Sequence, residues 1–205
     1  MSMATRQRRS HAERKAESEL ALLNAAINVI AEAGVGAVTF EALGRTSGLS
    51  RGLATVRFGS KSGLIEAVLH HLHERQEALI RQHHFDDMRG IDAVLGYVEL
   101  CLRDMGHRNE AKAYFMLLSS AVAEGSDLRA SFAKTHSVVK THLQRWVERG
   151  LEDGSVGSSI DPHDAGLMIG SLMFGISMQL LVDPSTEIEP LREASIAMLR
   201  KSLAA

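Results

Sequence analysis

The chain has 205 residues, of which 45% are hydrophobic and 23% charged, and its formal net charge is −2. That length allows one domain or two small ones, and the hydrophobic fraction is ample for a buried core. A single cysteine, Cys101, excludes an intramolecular disulfide framework and fits a reducing cytoplasm. The basic start lacks the apolar segment of a secretory signal, and glycines interrupt the apolar stretch at 165–182. We therefore expect a cytoplasmic protein with no membrane span.

The sequence predicts helices throughout, because its long periodic stretches contain few prolines and no alternating strand pattern. A polar, basic arm over about residues 1–10 is expected to be disordered. The first helix is predicted over 11–33, with Leu20 and Ile27 on its core face and Gly34 as its stop. Further helices are predicted at about 61–84, 90–106, 109–124, 127–152, 162–182 and 187–203.

Charge is distributed unevenly along the chain. Residues 1–61 contain nine Lys or Arg and five Asp or Glu, a charge of +4, whereas the remaining 14 bases and 20 acids give −6. A basic N-terminal region on an acidic remainder is typical of a DNA-binding module fused to one that does not bind DNA. A chance difference between two segments is the alternative interpretation.

Residues 39–64 carry the strongest functional signal, two short helices joined by a tight turn and followed by the start of a third. Gly48 suits the positive φ that such a turn often needs. Ser50 then caps the second helix, because its hydroxyl can accept a hydrogen bond from an unpaired amide of the next turn. A helix pair of this kind places the N-terminal side chains of its second helix in the major groove of DNA.

This segment resembles the N-terminal DNA-binding domain of the TetR (tetracycline repressor-like) family of transcriptional regulators. The resemblance implies an all-α protein, with a three-helix helix-turn-helix DNA-binding domain at residues 1–60 and a helical effector-binding and dimerisation domain at 61–205. It implies a repressor that binds a palindromic operator as a homodimer and is released by a small apolar or amphipathic effector. The matching positions are Gly34, Thr39, Leu43, Gly48, Leu49, Ser50, Gly52, Phe58, Ser60, Lys61 and Leu64.

The second helix of the pair supplies most candidate DNA contacts. Arg51 can bond bidentately to guanine O6 and N7, and Leu53 and Ala54 can contact a thymine methyl. Thr39 and Lys61 begin the flanking helices, where a helix N-terminus and a cation favour phosphate. The full set is Thr39, Ser50, Arg51, Gly52, Leu53, Thr55, Arg57 and Lys61, with Arg6, Arg8 and Arg9 of the arm in addition.

The chain departs from the family pattern in this helix. The family usually has an aromatic residue, most often Tyr, where this chain has Thr55, and often aromatic or His residues at Val56 and Arg57. The phosphate contact usually made by that Tyr is left to Thr55 or Arg57.

The resemblance also gives the second domain an effector cavity and a dimer surface. The candidate effector contacts, several of them aromatic or with a polar group, are Tyr97, Cys101, Phe115, Ser119, His142, Trp146 and Phe174. The candidate dimer contacts, on the last two helices, are Met168, Leu172, Met173, Ile176, Leu180, Leu191, Ile196 and Leu199. The alternative for every one of these residues is an ordinary place in the helical core.

Other function classes find little support in the sequence. It has no Gly-rich phosphate loop, no nucleophile elbow and no plausible carboxylate pair, so we expect neither an enzyme nor a cofactor. His70 shares a helix face with His73 and Glu74 and could ligate a metal with either, but no H-E-x-x-H or C-x-x-C motif accompanies them. We interpret His70, His71 and His73 as a polar helix surface. A dimeric DNA-binding protein without an effector and, at low odds, a helical enzyme are the alternatives.

Overall fold

The computed structural model describes residues 10–105 and 108–205, and these residues are helical with no strand beyond one isolated bridge between Val156 and Ala204. The all-α prediction is confirmed. The predicted arm lies outside the described residues except for Ser10. The α-helices are α1 (His11–Ala33), α2 (Phe40–Ser47), α3 (Arg51–Phe58), α4 (Lys61–Gln82), α5 (Gly90–Met105), α6 (Asn109–Glu124), α7 (Leu128–Glu152), α8 (Pro162–Val182) and α9 (Ile188–Leu203).

The helix ends near the N-terminus are fixed by local hydrogen bonds. Ser10 and Glu13 form a reciprocal capping box at the start of α1. The Thr39 hydroxyl accepts from the amide of Ala42 at 3.0 Å, which caps α2. Gly48 ends α2 with φ at 72°, as the turn prediction required, because this left-handed region is costly for residues with a Cβ. These predicted boundaries are confirmed.

The chain divides into two compact units, and the division falls between His71 and Leu72 inside α4. The sequence analysis placed the boundary at 60/61, where α4 begins. The first half of α4 belongs to the first unit, and its residues Leu64 and Val68 are buried. Leu20 was expected in the core of this unit, but it is 45% exposed.

The second unit is built around α5, which packs against α7 and α9, while α8 packs along α7. Its core includes Tyr97, Leu143 and Trp146, all almost fully buried. A Cβ added at Gly90 would collide with the backbone of Gly150, so glycine allows the close approach of α5 to α7. This packing fixes the positions of the helices that surround the cavity described below.

The α8 helix is apolar and yet poorly covered. Among the described residues it is the helix long and apolar enough to cross a membrane, with a mean hydropathy of 1.8, although a core helix of a soluble protein satisfies the same criteria. Only 22% of the apolar window is buried within the chain. Met168 and Val182 are 71% and 76% exposed. Exposed apolar side chains of this kind are typical of interaction sites.

Candidate nucleic-acid interface and ligand cavity

The α3 helix presents one face to solvent and packs the other into the first unit. Arg51, Gly52, Thr55 and Val56 are exposed, whereas Ala54 is fully buried. The Ser50 hydroxyl accepts from the amide of Leu53 at 3.1 Å and caps the helix. The exposed face therefore combines a cation, a hydroxyl and an apolar side chain, which are the groups that read base edges in a major groove.

Three predicted contact residues have additional bonds within the first unit. The Thr39 hydroxyl serves as the α2 cap. The Lys61 Nζ donates to the carbonyl of Gly36 at 3.3 Å while its side chain stays exposed. The Thr55 Oγ1 donates to the carbonyl of Arg51 at 3.1 Å, so its lone pairs remain available. None of these bonds removes the side chain from the surface.

Arg57 is held differently from the other basic residues. Its guanidinium lies 3.2 Å from the carboxylate of Glu19 on α1, and its side chain is only 15% exposed. This ion pair joins α3 to α1 and gives Arg57 an intramolecular partner in place of the phosphate proposed for it.

The thymine-methyl assignment also changes. Ala54 is wrong as a base contact, because it is completely covered by the first unit. Leu53 is half-buried. Val56, which was noted for its departure from the family pattern but not assigned a role, is 86% exposed on the same helix. An apolar side chain at a solvent-facing helical position was the signal that could have found it.

The second unit contains a cavity of about 720 Å3, bounded by the second half of α4 and by α5, α6, α7 and α8. This volume lies within the range of about 300–1,000 Å3 typical of small-molecule sites. Exposed residues such as Val122 and Leu167 lie on its wall, so the cavity reaches the surface. Most of its lining is apolar or aromatic. Four of the predicted effector contacts line it, namely Tyr97, Cys101, Phe115 and Phe174.

A short polar network lies on the α4–α5 side of the cavity. The Gln76 Nε2 donates to the Tyr97 hydroxyl at 2.9 Å and lies 3.7 Å from the Cys101 sulfur. Burial, together with the neighbouring Cys101 thiol, raises the pKa of the Tyr97 hydroxyl well above its usual value. Tyr97 therefore stays neutral and can act as a hydrogen-bonding group towards a ligand.

Aromatic side chains of α6 and α8, Tyr114, Phe115 and Phe174, form another part of the lining, the aromatic wall. The ring centroids of Tyr114 and Phe115 are 5.2 Å apart, and those of Phe115 and Phe174 are 5.8 Å apart. Both pairs are edge-to-face, the arrangement that aromatic quadrupoles favour. Tyr114 and Gln76 are lining residues that sequence reasoning missed, because helical periodicity does not tell a cavity wall from a packed core.

Three predicted effector contacts do not line the cavity. Trp146 is fully buried, and its indole Nε1 donates to the Asp86 carboxylate at 2.8 Å. The His142 ring lies against Trp146 with centroids 5.6 Å apart, and its Nδ1 lies 3.3 Å from a guanidinium nitrogen of Arg145. The Ser119 hydroxyl donates to the carbonyl of Phe115 at 2.8 Å, back along its own helix. All three have structural partners that occupy their polar groups.

The predicted dimer residues also divide by burial. Ile176 and Leu199 belong to the core of the second unit, and Met168 is strongly exposed. The remaining members are half-buried against that core, namely Leu172, Met173, Leu180, Leu191 and Ile196. The exposed apolar surface of the last two helices, the α8–α9 face, consists of Leu167, Met168, Phe174, Val182 and Met198.

Within the described residues one cluster has the composition of a metal site. Ligand atoms of Asp161, His163 and Asp164 lie within 4.8 Å of one another, and all three residues are exposed. The Asp161 carboxylate accepts from the amide of Asp164 at 2.9 Å as the cap of α8. Helix capping accounts for this arrangement.

Comparison with known proteins relates one segment of the chain to a known family. Residues 22–68, which include the helix-turn-helix, match the sequence profile of bacterial regulatory proteins of the tetR family. No curated protein matches the chain significantly.

Several solved structures share the fold along nearly the whole chain. A protein studied for the control of antibiotic production by bacterial hormones has a TM-score of 0.82 at 17% identity, over 96% of this chain and 100% of that one. A TetR transcriptional regulator from Chloroflexus aurantiacus has a TM-score of 0.77 at 14% identity, over 94% and 100%. The ketosteroid transcriptional regulator of Mycobacterium tuberculosis has a TM-score of 0.69 at 17% identity, over 97% of each chain.

At these identities the structural similarity establishes the fold, and the profile match adds the family of the DNA-binding segment. The Chloroflexus and Mycobacterium proteins are transcriptional regulators. The match over residues 22–68 identifies a DNA-binding segment of the tetR family of bacterial regulatory proteins, in a chain whose described residues share the fold of solved TetR-family regulators.

Proposed function

We propose that the protein is a repressor that binds a palindromic operator as a homodimer and is released by a small apolar or amphipathic effector. The observation that carries this proposal is a cavity of about 720 Å3 in a chain that also presents an exposed recognition helix. Such a cavity favours an effector-controlled regulator over a DNA-binding protein without a ligand.

The proposed DNA surface follows the exposure of α3 and its flanking residues. Arg51 is placed in the first turn, where its guanidinium can bond bidentately to guanine. Val56 supplies the contact to a thymine methyl in place of Ala54. Thr39 and Lys61 bind phosphates at the starts of α2 and α4, where helix N-termini favour anions. Ser50, Gly52, Leu53 and Thr55 complete the surface, and Arg57 is left out because it pairs with Glu19.

The dimer is proposed to form through the α8–α9 face. A second copy would cover the apolar side chains that α8 leaves exposed, and the two-fold axis would present two recognition helices to one DNA duplex. Half-sites about 34–36 Å apart would then give a palindromic operator. Leu167 and Phe174 belong both to this face and to the cavity lining, so the partner would lie next to the ligand.

Release is proposed to occur by a population shift transmitted along α4. This helix begins at Lys61 in the first unit and contributes Leu72, His73 and Gln76 to the cavity. An effector that prefers a dimer with wrongly spaced recognition helices would weaken operator binding. A coupling free energy of about 1–3 kcal/mol corresponds to a change of roughly 5–150-fold in affinity.

The DNA-binding part is tested by fluorescence anisotropy with the DNA upstream of the protein's own gene, measured against salt. Arg51→Ala should weaken specific binding by about 1–3 kcal/mol, whereas Arg129→Ala, in the second unit, should leave it unchanged. A steep dependence on log salt is expected. Weak, sequence-independent binding that is insensitive to Arg51→Ala would contradict an operator in this DNA.

The effector part is tested by filling the cavity. A Cβ added at Gly170 meets no atom within 4 Å, so a larger side chain there can enter the cavity without disturbing the helix. Gly170→Leu should keep operator binding and abolish release by any effector found in a screen. A ligand-independent regulator would show no such effector, and Gly170→Leu would then bind DNA as the wild type does.

A further inference from the structure

The charged groups of the cavity are not balanced. Its lining contains three permanent cations, Arg75, Arg108 and Lys140, and one carboxylate, Glu110. The Arg75 guanidinium and the Glu110 carboxylate form an ion pair at 3.3 Å. Burial lowers the pKa of His136, which therefore adds no positive charge near neutral pH. The lining thus carries an excess of positive charge.

Lys140 is the cation best placed to meet a ligand. It is half-buried on α7, and among the residues that the structure describes no carboxylate pairs with it. Burying an ammonium without a counter-ion is unfavourable, so an anion brought by a ligand would be stabilised there. Arg108 also lines the cavity, but it already interacts with other residues.

Two hydroxyls lie on the cavity wall with Lys140. Ser137 is three residues earlier on α7, on the same face of the helix, and Ser171 belongs to α8. Within the described part of the chain neither hydroxyl hydrogen bonds to another residue. An ammonium and two uncommitted hydroxyls provide the donors that a carboxylate accepts.

The α8 backbone leaves room beside these groups. The Cβ position at Gly166 lies 3.3 Å from the carbonyl oxygen of Lys140, so α8 approaches α7 closely there. At Gly170 the Cβ position has no atom within 4 Å. The α8 backbone therefore leaves open space at Gly170, which lines the same cavity as Ser137 and Ser171. Away from this corner the wall is apolar, with Leu79, Leu100 and Phe115 among its members.

We propose that the cavity binds an amphipathic monoanion, whose carboxylate contacts Lys140, Ser137 and Ser171 and whose apolar tail lies against the aromatic wall. This inference rests on the proposed function, because it names the chemical class of its effector. A single ammonium with two hydroxyls matches a carboxylate, whereas a phosphate would call for more cations. A cationic ligand would meet the excess positive charge of the lining.

The test compares three ligands with one tail and three head groups, octanoate, octanol and octyltrimethylammonium, by isothermal titration calorimetry on the full chain. We expect octanoate to bind about tenfold more tightly than octanol, and octyltrimethylammonium to bind most weakly. Lys140→Met should lower octanoate affinity to that of octanol and leave octanol unchanged. Lys134→Met, an exposed lysine on the same helix outside the cavity lining, is the matched control and should change neither.

Octanol or the cation binding as tightly as octanoate would overturn the proposal, and so would an octanoate preference that survives Lys140→Met. Should that variant unfold, Ser137→Ala offers a second measurement, and it should reduce the preference in part. The same samples are assayed for operator binding. Octanoate that binds through Lys140 without changing operator affinity would support this inference and contradict effector release. If octanoate did not bind while operator binding stayed intact, this inference alone would be overturned.

Discussion

Both units end helices with local caps, but the second unit also holds its turns with side-chain bonds over much longer sequence distances. In the first unit the side chains of Thr39, Ser50 and Ser60 each accept from an amide three residues ahead. In the second unit the amide of Gly90 donates to Asp153, and the indole of Trp146 donates to Asp86, over 63 and 60 residues. The helix ends of the first unit are therefore set locally, whereas the shape of the second unit depends more on distant parts of the chain.

This difference suits the two proposed roles. A recognition helix needs a fixed position, and short-range caps with a small buried core supply it. A cavity needs walls that can take two arrangements with similar free energies, and long-range contacts between separate helices allow that. Predictions that separate the two units test whether this division holds.

The largest effect is expected at the core of the first unit. Leu43 is fully buried on α2, and Leu43→Ala should lower the free energy of unfolding by about 2–5 kcal/mol because it leaves a cavity. Operator binding should fall with it, without any lost contact to DNA. Urea denaturation followed by circular dichroism gives the stability.

The matched control for this substitution is Leu20→Ala on α1. Leu20 is 45% exposed, and its replacement should change the free energy of unfolding by less than about 0.5 kcal/mol. Equal destabilisation by the two variants would mean that Leu20 is covered in the protein and that the burial pattern of the first unit is different.

The next effect concerns Trp146. Its substitution tests whether this residue belongs to the core of the second unit or to the wall of the cavity. Trp146→Phe removes the 2.8 Å hydrogen bond to Asp86 and part of a fully buried ring system, and we expect a loss of about 1–3 kcal/mol in the free energy of unfolding. Octanoate affinity should stay unchanged. Phe174→Ala, on the cavity wall, should have the reverse effect: it should lower octanoate affinity and change the free energy of unfolding little. If Trp146→Phe lowered ligand affinity without changing the free energy of unfolding, Trp146 would be a ligand contact after all.

Helix ends could be predicted from the sequence, whereas the partner of Trp146 could not. The ends of the first helices were predictable, because a glycine or a capping hydroxyl within a few residues specifies each end, as Gly34, Thr39 and Ser50 do. Whether Trp146 faces Asp86 or the cavity depends on a 3-10 turn at Phe85–Asp87 that meets α7. No local pattern encodes that meeting, so the aromatic residue with a polar group looked like a ligand contact.

The polar residues that line the cavity could not be predicted from the sequence either. Lys140 and Gln76 lie on helices whose bounds were nearly correct, yet a polar residue on a half-buried helix face gives no sign of what it faces. Val56 is the reverse case in the first unit. Its exposure follows from helical geometry once Ala54 is known to be buried, because the two residues lie on different faces of α3.

A smaller effect is expected from Val56 at the DNA surface. Val56→Ala should weaken operator binding by about 1 kcal/mol, since it removes methyl groups proposed to contact a thymine methyl. Replacing single thymines by uracil, which lacks that methyl, should identify the contacted position by a similar loss. The two losses should not add when they are combined, and full additivity at every thymine would exclude this contact.

The smallest effect is a pH dependence at Asp86 in the second unit. The hydrogen bond from Trp146 is the main cause that lowers the pKa of the Asp86 carboxyl from its ordinary value of 3.8, and Arg145 lowers it further. Because the folded pKa is below the unfolded one, this carboxylate stabilises the fold above pH of about 4, and that contribution disappears as the pH falls through the folded pKa.

Asp86→Asn keeps an acceptor for the Trp146 indole but loses the charge that faces Arg145. The variant should be less stable than the wild type at pH 7 by less than about 1 kcal/mol, because the two side chains of this pair are 61% and 53% exposed. The difference should close in acid, as measured by urea denaturation from pH 7 down to pH 3. A gap that widens on acidification would mean that the charge of Asp86 opposes folding, and the long-range contact between Asp86 and α7 would then rest on the neutral hydrogen bond alone.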